Sequence, residues 1–166
     1  MKTLGLDLST TVCGFSIIEN KSILHAGFFD ISKAKTYKDK ANIIINGLVD
    51  KPLIDRIIIE ESLSGFAFGK TSQQTILMLA KNKAVISYIL GEYYKVPVFY
   101  QNASTMRKQL FGIACIRGTD PKQFVKQKLS ELYDISKWDI KNKIGNLDKR
   151  MNDVYDAIVA GCYDPQ

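Results

Sequence analysis

The run Arg56-Ile57-Ile58-Ile59-Glu60-Glu61 limits the possible folds more than any other stretch of the chain. Consecutive β-branched apolar residues with no polar interruption belong to a strand buried on both faces of a sheet. That strand ends in two acids. Upstream, Thr3-Leu4-Gly5-Leu6 reads as a short strand leading to Asp7, Ser9-Thr10-Thr11 as a turn, and Gly14-Phe15-Ser16-Ile17-Ile18 as the returning strand. A third strand over 22–31, carrying Ile23, Leu24, Phe28 and Phe29, completes an antiparallel meander. Helical spacing of Tyr37, Ala41, Ile44, Ile45 and Leu48, with Pro52 beyond as a stop signal, predicts a helix over 36–49.

Beyond the isoleucines, 62–70 reads as an aromatic loop with Gly65 and Gly69 around Phe66 and Phe68. A long helix over 71–94 follows, apolar over more than one stripe, which predicts a second covered surface supplied by a partner subunit. Next comes a strand over 96–100 whose Pro97 suits a strand start or a sheet edge. Asn102 or Ser104 can cap a short helix through Leu110, and Thr119 or Asp120 with Pro121 opens another. A polar, basic loop over 136–150, with room for helical turns, leads to a final helix over 152–163 with Asn152 at its N-cap.

Composition narrows the functions. At 166 residues and 46% hydrophobic content the chain is expected to form one domain, 1–166. Its net charge of +6 favours a polyanionic partner such as nucleic acid. Lys33, Lys35, Lys38 and Lys40 read as a solvated helix face. No apolar run approaches the roughly 20 residues that span a bilayer, and the first residues lack the form of a secretory signal. A soluble, cytoplasmic protein without membrane contact is expected. Cys13, Cys115 and Cys162 are widely spaced and read as buried reduced thiols. His25 is the only histidine, read as a strand-edge side chain, so a multi-histidine zinc site or a Ser-His-Asp triad lacks material.

The acids carry the chemistry. Asp7 and Glu60 stand at strand ends, and the last helix begins Asn152-Asp153-Val154-Tyr155-Asp156. Acids at i and i+3 lie about 60° apart on a helix, so both reach a common point. Each acid alone has an ordinary explanation, as a strand-end charge or a helix N-terminal acid. Together they make four carboxylates from three distant segments, a cluster that repels itself unless cations neutralise it. Oxygen donors without His or Cys select hard ions, Mg²⁺ or Mn²⁺. Two such ions roughly 4 Å apart suit in-line displacement at a phosphodiester.

The order of elements and these acids resemble the ribonuclease H-like superfamily and, within it, the RuvC-type Holliday junction resolvases. The likeness rests on Gly5-Leu6-Asp7 with 14–18, Ile58-Ile59-Glu60, the long helix leading to Val96-Pro97-Val98-Phe99, and Asp153-Val154-Tyr155-Asp156-Ala157-Ile158. It implies an α/β fold with a five-stranded mixed sheet, three antiparallel strands then two parallel, flanked by helices. It also implies a homodimeric crossover junction endodeoxyribonuclease of DNA recombination and repair, cutting four-way and related branched DNA. The catalytic, metal-binding acids would be Asp7, Glu60, Asp153 and Asp156, with two Mg²⁺ or Mn²⁺ ions, Asp7 between them. Glu61 ranks behind Glu60 because strand alternation turns it to the opposite face.

By the same resemblance Arg107, Lys108 and Lys122 would approach DNA phosphates, and Phe66 and Phe68 would stack on unpaired bases. The 136–150 segment is longer and more basic than its counterpart in bacterial resolvases, which points to a divergent, phage-like member working in a bacterial cell or an infected host.

Two other classes compete. Gly5-Leu6-Asp7-Leu8-Ser9-Thr10-Thr11 resembles the first phosphate motif of ATP-dependent phosphotransferases of the actin and sugar-kinase type, which need two lobes and more than twice this length. A non-catalytic DNA-binding module would not need acids at all four places.

Overall fold

A computed structural model describes residues 1–61 and 73–165. In chain order the elements are β1 (Lys2–Leu8), β2 (Val12–Glu19), β3 (Ser22–Asp30), α1 (Tyr37–Leu48), β4 (Arg56–Glu60), α2 (Gln73–Tyr94), β5 (Val98–Gln101), α3 (Ala103–Phe111), α4 (Pro121–Leu132) and α5 (Met151–Cys162). The strands form one sheet in the order β3-β2-β1-β4-β5. β1 and β2 pair antiparallel, as do β2 and β3, while β1 with β4 and β4 with β5 are parallel. The expected mixed sheet is therefore present. β5 is an edge, and Pro97 just before it accepts the Ile57 N–H at 2.9 Å, a use of proline that needs only its carbonyl.

Strand alternation divides the sheet into two faces. Leu4, Leu6, Leu8, Ile57 and Ile59 share one core with Ala41, Ile44, Ile45 and Leu48 of α1 and Ile86 and Leu90 of α2. Ile58 points the other way, into a second core with Val154, Tyr155 and Ile158 of α5 and Phe124, Val125 and Leu129 of α4. Ile57, Ile58 and Ile59 are all 0% exposed. The uninterrupted apolar run thus serves two cores.

α5 lies unusually close to the strands beneath it. A Cβ on Gly5 would overlap the Ala157 carbonyl and the Gly161 backbone, and one on Gly14 would overlap the Asp153 carbonyl. Ser16, fully buried on β2, donates its hydroxyl to the Ala157 carbonyl at 2.7 Å. Gly14 meets the first turn of α5 and Gly5 its last turns, so the helix runs antiparallel to β1, its N-terminus at the carboxyl end of that strand.

Several local expectations need correction. α5 begins at Met151 with Arg150 in the cap position, and Asn152 sits inside the first turn. Asp148 displaces Asn152 as the stop to the preceding chain: its carboxylate accepts the Arg150 N–H at 3.0 Å and its carbonyl the Met151 N–H at 2.9 Å. Segment 136–150 has a helical turn of the expected kind, a 3-10 turn at Ser136–Trp138, but the rest is a small hairpin bridged antiparallel at Lys141 and Leu147 rather than loop. Lys40 is not simply solvated, since its ammonium donates to the Thr10 carbonyl at 2.6 Å and to Asn82 at 3.3 Å. Cys13 is buried, while Cys115 and Cys162 are partly exposed, and all three are free thiols. Thr36, Asn102 and Asp120 cap α1, α3 and α4. No described helix is long and apolar enough to cross a membrane.

Gly14→Ala is expected to lower stability by roughly 2–3 kcal/mol in urea unfolding, because the obstacle is backbone rather than a movable side chain. An unchanged midpoint would mean that the helix can lift freely off β2.

Candidate functional site

The parallel pairing of β1 and β4 brings their carboxyl ends to the same rim of the sheet, with Leu6 opposite Ile59. Asp7 and Glu60 follow these residues and, by alternation, face α5 rather than α2. The glycine contacts lower the first turn of α5 onto this rim. Asp7, Glu60 and Asp156 each offer a carboxylate oxygen, and the three oxygens lie within 4.8 Å of one another. Asp153, one turn earlier in α5, is outside this triple, and its charge acts on Asp7 and Glu60 through space. Glu61 lies beyond the end of β4 and is exposed, its N–H donated to the Gln101 carbonyl at 2.8 Å.

These carboxyls hold protons more tightly than free acids do. Burial, then the neighbouring charge of Glu60, raises Asp7 well above the usual range, against the opposing Lys83 ammonium. Burial, then Asp156, pushes Glu60 up to about 7, with Lys83 and Arg107 opposing. Asp153 is raised by burial and held back by Lys122. Glu60 Oε2 is buried with no hydrogen-bond partner among the described residues. An acceptor-only cluster with an unused buried oxygen fits a hard divalent cation: it needs positive charge, and its donors are all oxygen.

Arg107 of α3 reaches into this cluster. Its Nη2 donates to Asp156 Oδ1 at 2.8 Å, and the two side chains are only 14% and 15% exposed. A carboxylate this buried is unfavourable without a cation, which explains why the guanidinium turns inward rather than to solvent. Lys108 beside it is exposed, and Lys122 stands exposed in the first turn of α4. Phe66 and Phe68 lie outside the described residues.

Lys83 of α2 was not anticipated. It is 7% exposed and donates its ammonium to the Glu60 carbonyl at 2.5 Å. Beside it Asn82, fully buried, donates to the Ser9 carbonyl at 2.7 Å and so fixes the turn after β1. The buried stripe of α2 is Asn82, Lys83, Ile86, Ser87 and Leu90, whereas Leu77, Met78 and Tyr88 are exposed. Polar residues at core spacing, where α2 passes the strand ends, were the available signal.

The raised carboxyls set a pH dependence. Between the ordinary glutamate value of 4.5 and about 7, folded Glu60 keeps a proton that the unfolded chain releases. The associated stability is complete below about 4.5 and is lost as pH rises through about 7. The metal-free protein should lose up to roughly 3 kcal/mol in this way between about pH 5 and 8, and Glu60→Gln should flatten the dependence and melt higher at pH 8. Thermal melts across that range in EDTA provide the check, and a profile unaltered by Glu60→Gln would contradict the origin assigned to it.

No protein-family model matches the chain, and no curated protein matches it. Among solved structures it is similar to Thermus thermophilus RuvC, at 14% identity over 97% of this chain and 91% of that one, with a TM-score of 0.62. T. thermophilus RuvC in complex with a Holliday junction substrate gives 13% identity, 97% and 90% coverage and a TM-score of 0.61. The yeast mitochondrial Holliday junction resolvase Ydc2 gives 15% identity, 96% and 75% coverage and a TM-score of 0.62. At such identities the likeness is one of architecture, and the architecture is ribonuclease H-like, in a divergent RuvC-like form.

Proposed function

We propose that the chain is a metal-dependent endonuclease that hydrolyses phosphodiesters in branched DNA, four-way junctions foremost, acting as one nuclease domain and as a homodimer. The observation that carries this reading is the convergence of Asp7, Glu60 and Asp156 within 4.8 Å at one rim of a ribonuclease H-like sheet. The junction substrate in the T. thermophilus RuvC complex supports the choice of DNA, as does the charge of +6.

Asp7, Glu60, Asp153 and Asp156 would hold two Mg²⁺ or Mn²⁺ ions, which when bound supply an activated water and charge neutralisation at the leaving oxygen. The chain's own residues prepare that site. Burial and repulsion within the cluster keep Asp7 and Glu60 protonated more readily than free acids, so on binding a cation they would give up those protons and present two carboxylates in a site poor in water. Lys83, bonded to the Glu60 main-chain carbonyl, pins the end of β4 from which the Glu60 side chain projects. Arg107 offsets Asp156 and approaches a phosphate of the scissile strand. Lys108 and Lys122, both exposed, contact flanking phosphates and position the strand without reading its sequence. Phe66 and Phe68 stack on bases unpaired at the branch point.

The exposed apolar residues of α2, Leu77, Met78, Val85 and Tyr88, support the homodimer, whose two-fold axis suits two equivalent cuts. Segment 136–150 supports a divergent, phage-like relationship and work in the cytoplasm of a bacterial cell or infected host.

Cleavage of end-labelled four-way, flap and linear DNA with and without Mg²⁺ or Mn²⁺ tests the activity. Asp7→Asn should lower the rate by about three orders of magnitude, ~4 kcal/mol of transition-state stabilisation, while junction binding persists. Branched substrates left intact in both metals would overturn the proposal. In thermal melts, Mg²⁺ should stabilise the wild type, and Asp156→Asn should remove that gain, with the metal-free variant melting lower because buried Arg107 loses its carboxylate partner. Equal Mg²⁺ gains in the two proteins would count against a site at Asp156.

A further inference from the structure

Five positive and two negative side chains lie between residues 136 and 150, and both acids are engaged by groups at or near the start of α5. Asp139 accepts the Tyr155 hydroxyl at 2.6 Å, and Asp148 accepts the Arg150 guanidinium at 2.7 Å. These bonds tie the base of the hairpin to α5. Leu147 and Trp138 anchor it further by packing on the core that α5 shares with α4.

The turn also closes on itself. The Asn142 N–H donates to the Asn146 carbonyl at 2.7 Å, and the Asp148 N–H to the Ile140 carbonyl at 2.8 Å. Asn142 Oδ1 accepts the N–H groups of Ile144 and Asn146 at 3.0 and 3.1 Å, while Gly145 takes the left-handed conformation at φ 84°. None of this uses the side chains of Lys141, Lys143 or Ile144. The lysines are exposed and make no ion pair among the described residues, and Ile144, at the tip, is 83% exposed.

Position completes the argument. Ile144 lies six residues before Arg150, at most about 20 Å of extended chain. Asp153 follows Arg150 by about 4.5 Å of helix rise. The tip therefore stays within about 25 Å of Asp153 and about 30 Å of Asp156 in the acid cluster, less than the roughly 34 Å of one turn of B-DNA. We infer that the 139–148 hairpin is a second DNA-binding element, set on a duplex arm within one helical turn of the acid site, with Lys141 and Lys143 on phosphates and Ile144 against a groove. Cationic side chains on a preformed ribbon match the phosphate rails, and an apolar tip between them suits the floor of a groove or a base step. The inference rests on the nuclease reading for its substrate.

Binding of a four-way junction in EDTA, where no cut is made, separates the two ideas. Two phosphate contacts contribute about 1.8 to the slope of log K against log salt. Lys141→Gln/Lys143→Gln should reduce the slope by about that amount and weaken binding roughly 10-fold or more near 0.1 M salt, with an unchanged melting temperature. Ile144→Ser should weaken binding several-fold at every salt concentration and leave the slope alone. Wild-type binding with equal slopes in wild type and double lysine variant would overturn the hairpin's role and leave the nuclease reading standing. So would variants that alter only the oligomeric state, which would mark the hairpin as a protein contact. Failure of the wild type to bind any junction would overturn both.

Discussion

Everything at the acidic rim depends on backbone meeting backbone where α5 crosses β1 and β2. Gly5 and Gly14 leave no side chain between helix and strand, and the Ser16 hydroxyl takes up the Ala157 carbonyl that the approach would otherwise bury. With any larger residue at these positions α5 would stand off by the width of a methyl group or more, taking Asp156 away from Asp7 and Glu60. The separation of three carboxylates is thus set by two residues that have no chemistry of their own.

That closeness creates an electrostatic difficulty, and the chain answers it partly with its own cations. Lys83 comes from the α2 side of the sheet and Arg107 from the α3 side, so the cluster is approached by positive charge from both layers. The answer is incomplete. Asp7 and Glu60 still hold protons more tightly than free acids do, and an oxygen of Glu60 is left without a bond among the described residues. A site with residual negative charge and spare acceptors has room for further cations, which a site balanced by lysine and arginine alone would lack.

The fold was legible in the sequence because its signals are binary. Ile57, Ile58 and Ile59, short and β-branched, favour a doubly covered strand, and the spacing of Ala41, Ile44, Ile45 and Leu48 suits a helix with one buried side. The acids were legible for a related reason: charge beside strongly apolar sequence is costly unless it has a purpose. Lys83 escaped because the many apolar residues of α2 suggested a greasy stripe, while its real inner face passes the polar ends of the strands. Arg107 was legible as a basic residue near the site, but its engagement of Asp156, 49 positions away, is a property of tertiary structure alone. The hairpin at 139–148 was hidden by its own construction, since asparagine side chains and a single bridge leave no alternating pattern to read.

The bond between Ser16 and Ala157 joins residues 141 positions apart. During synthesis the β1-β2-β3 meander can pair as soon as it leaves the ribosome, yet the rim stays missing its third carboxylate until translation has passed residue 162. A nascent chain therefore carries Asp7 and Glu60 without Asp156 for most of its elongation, and the three-acid cluster can close only near the end of synthesis.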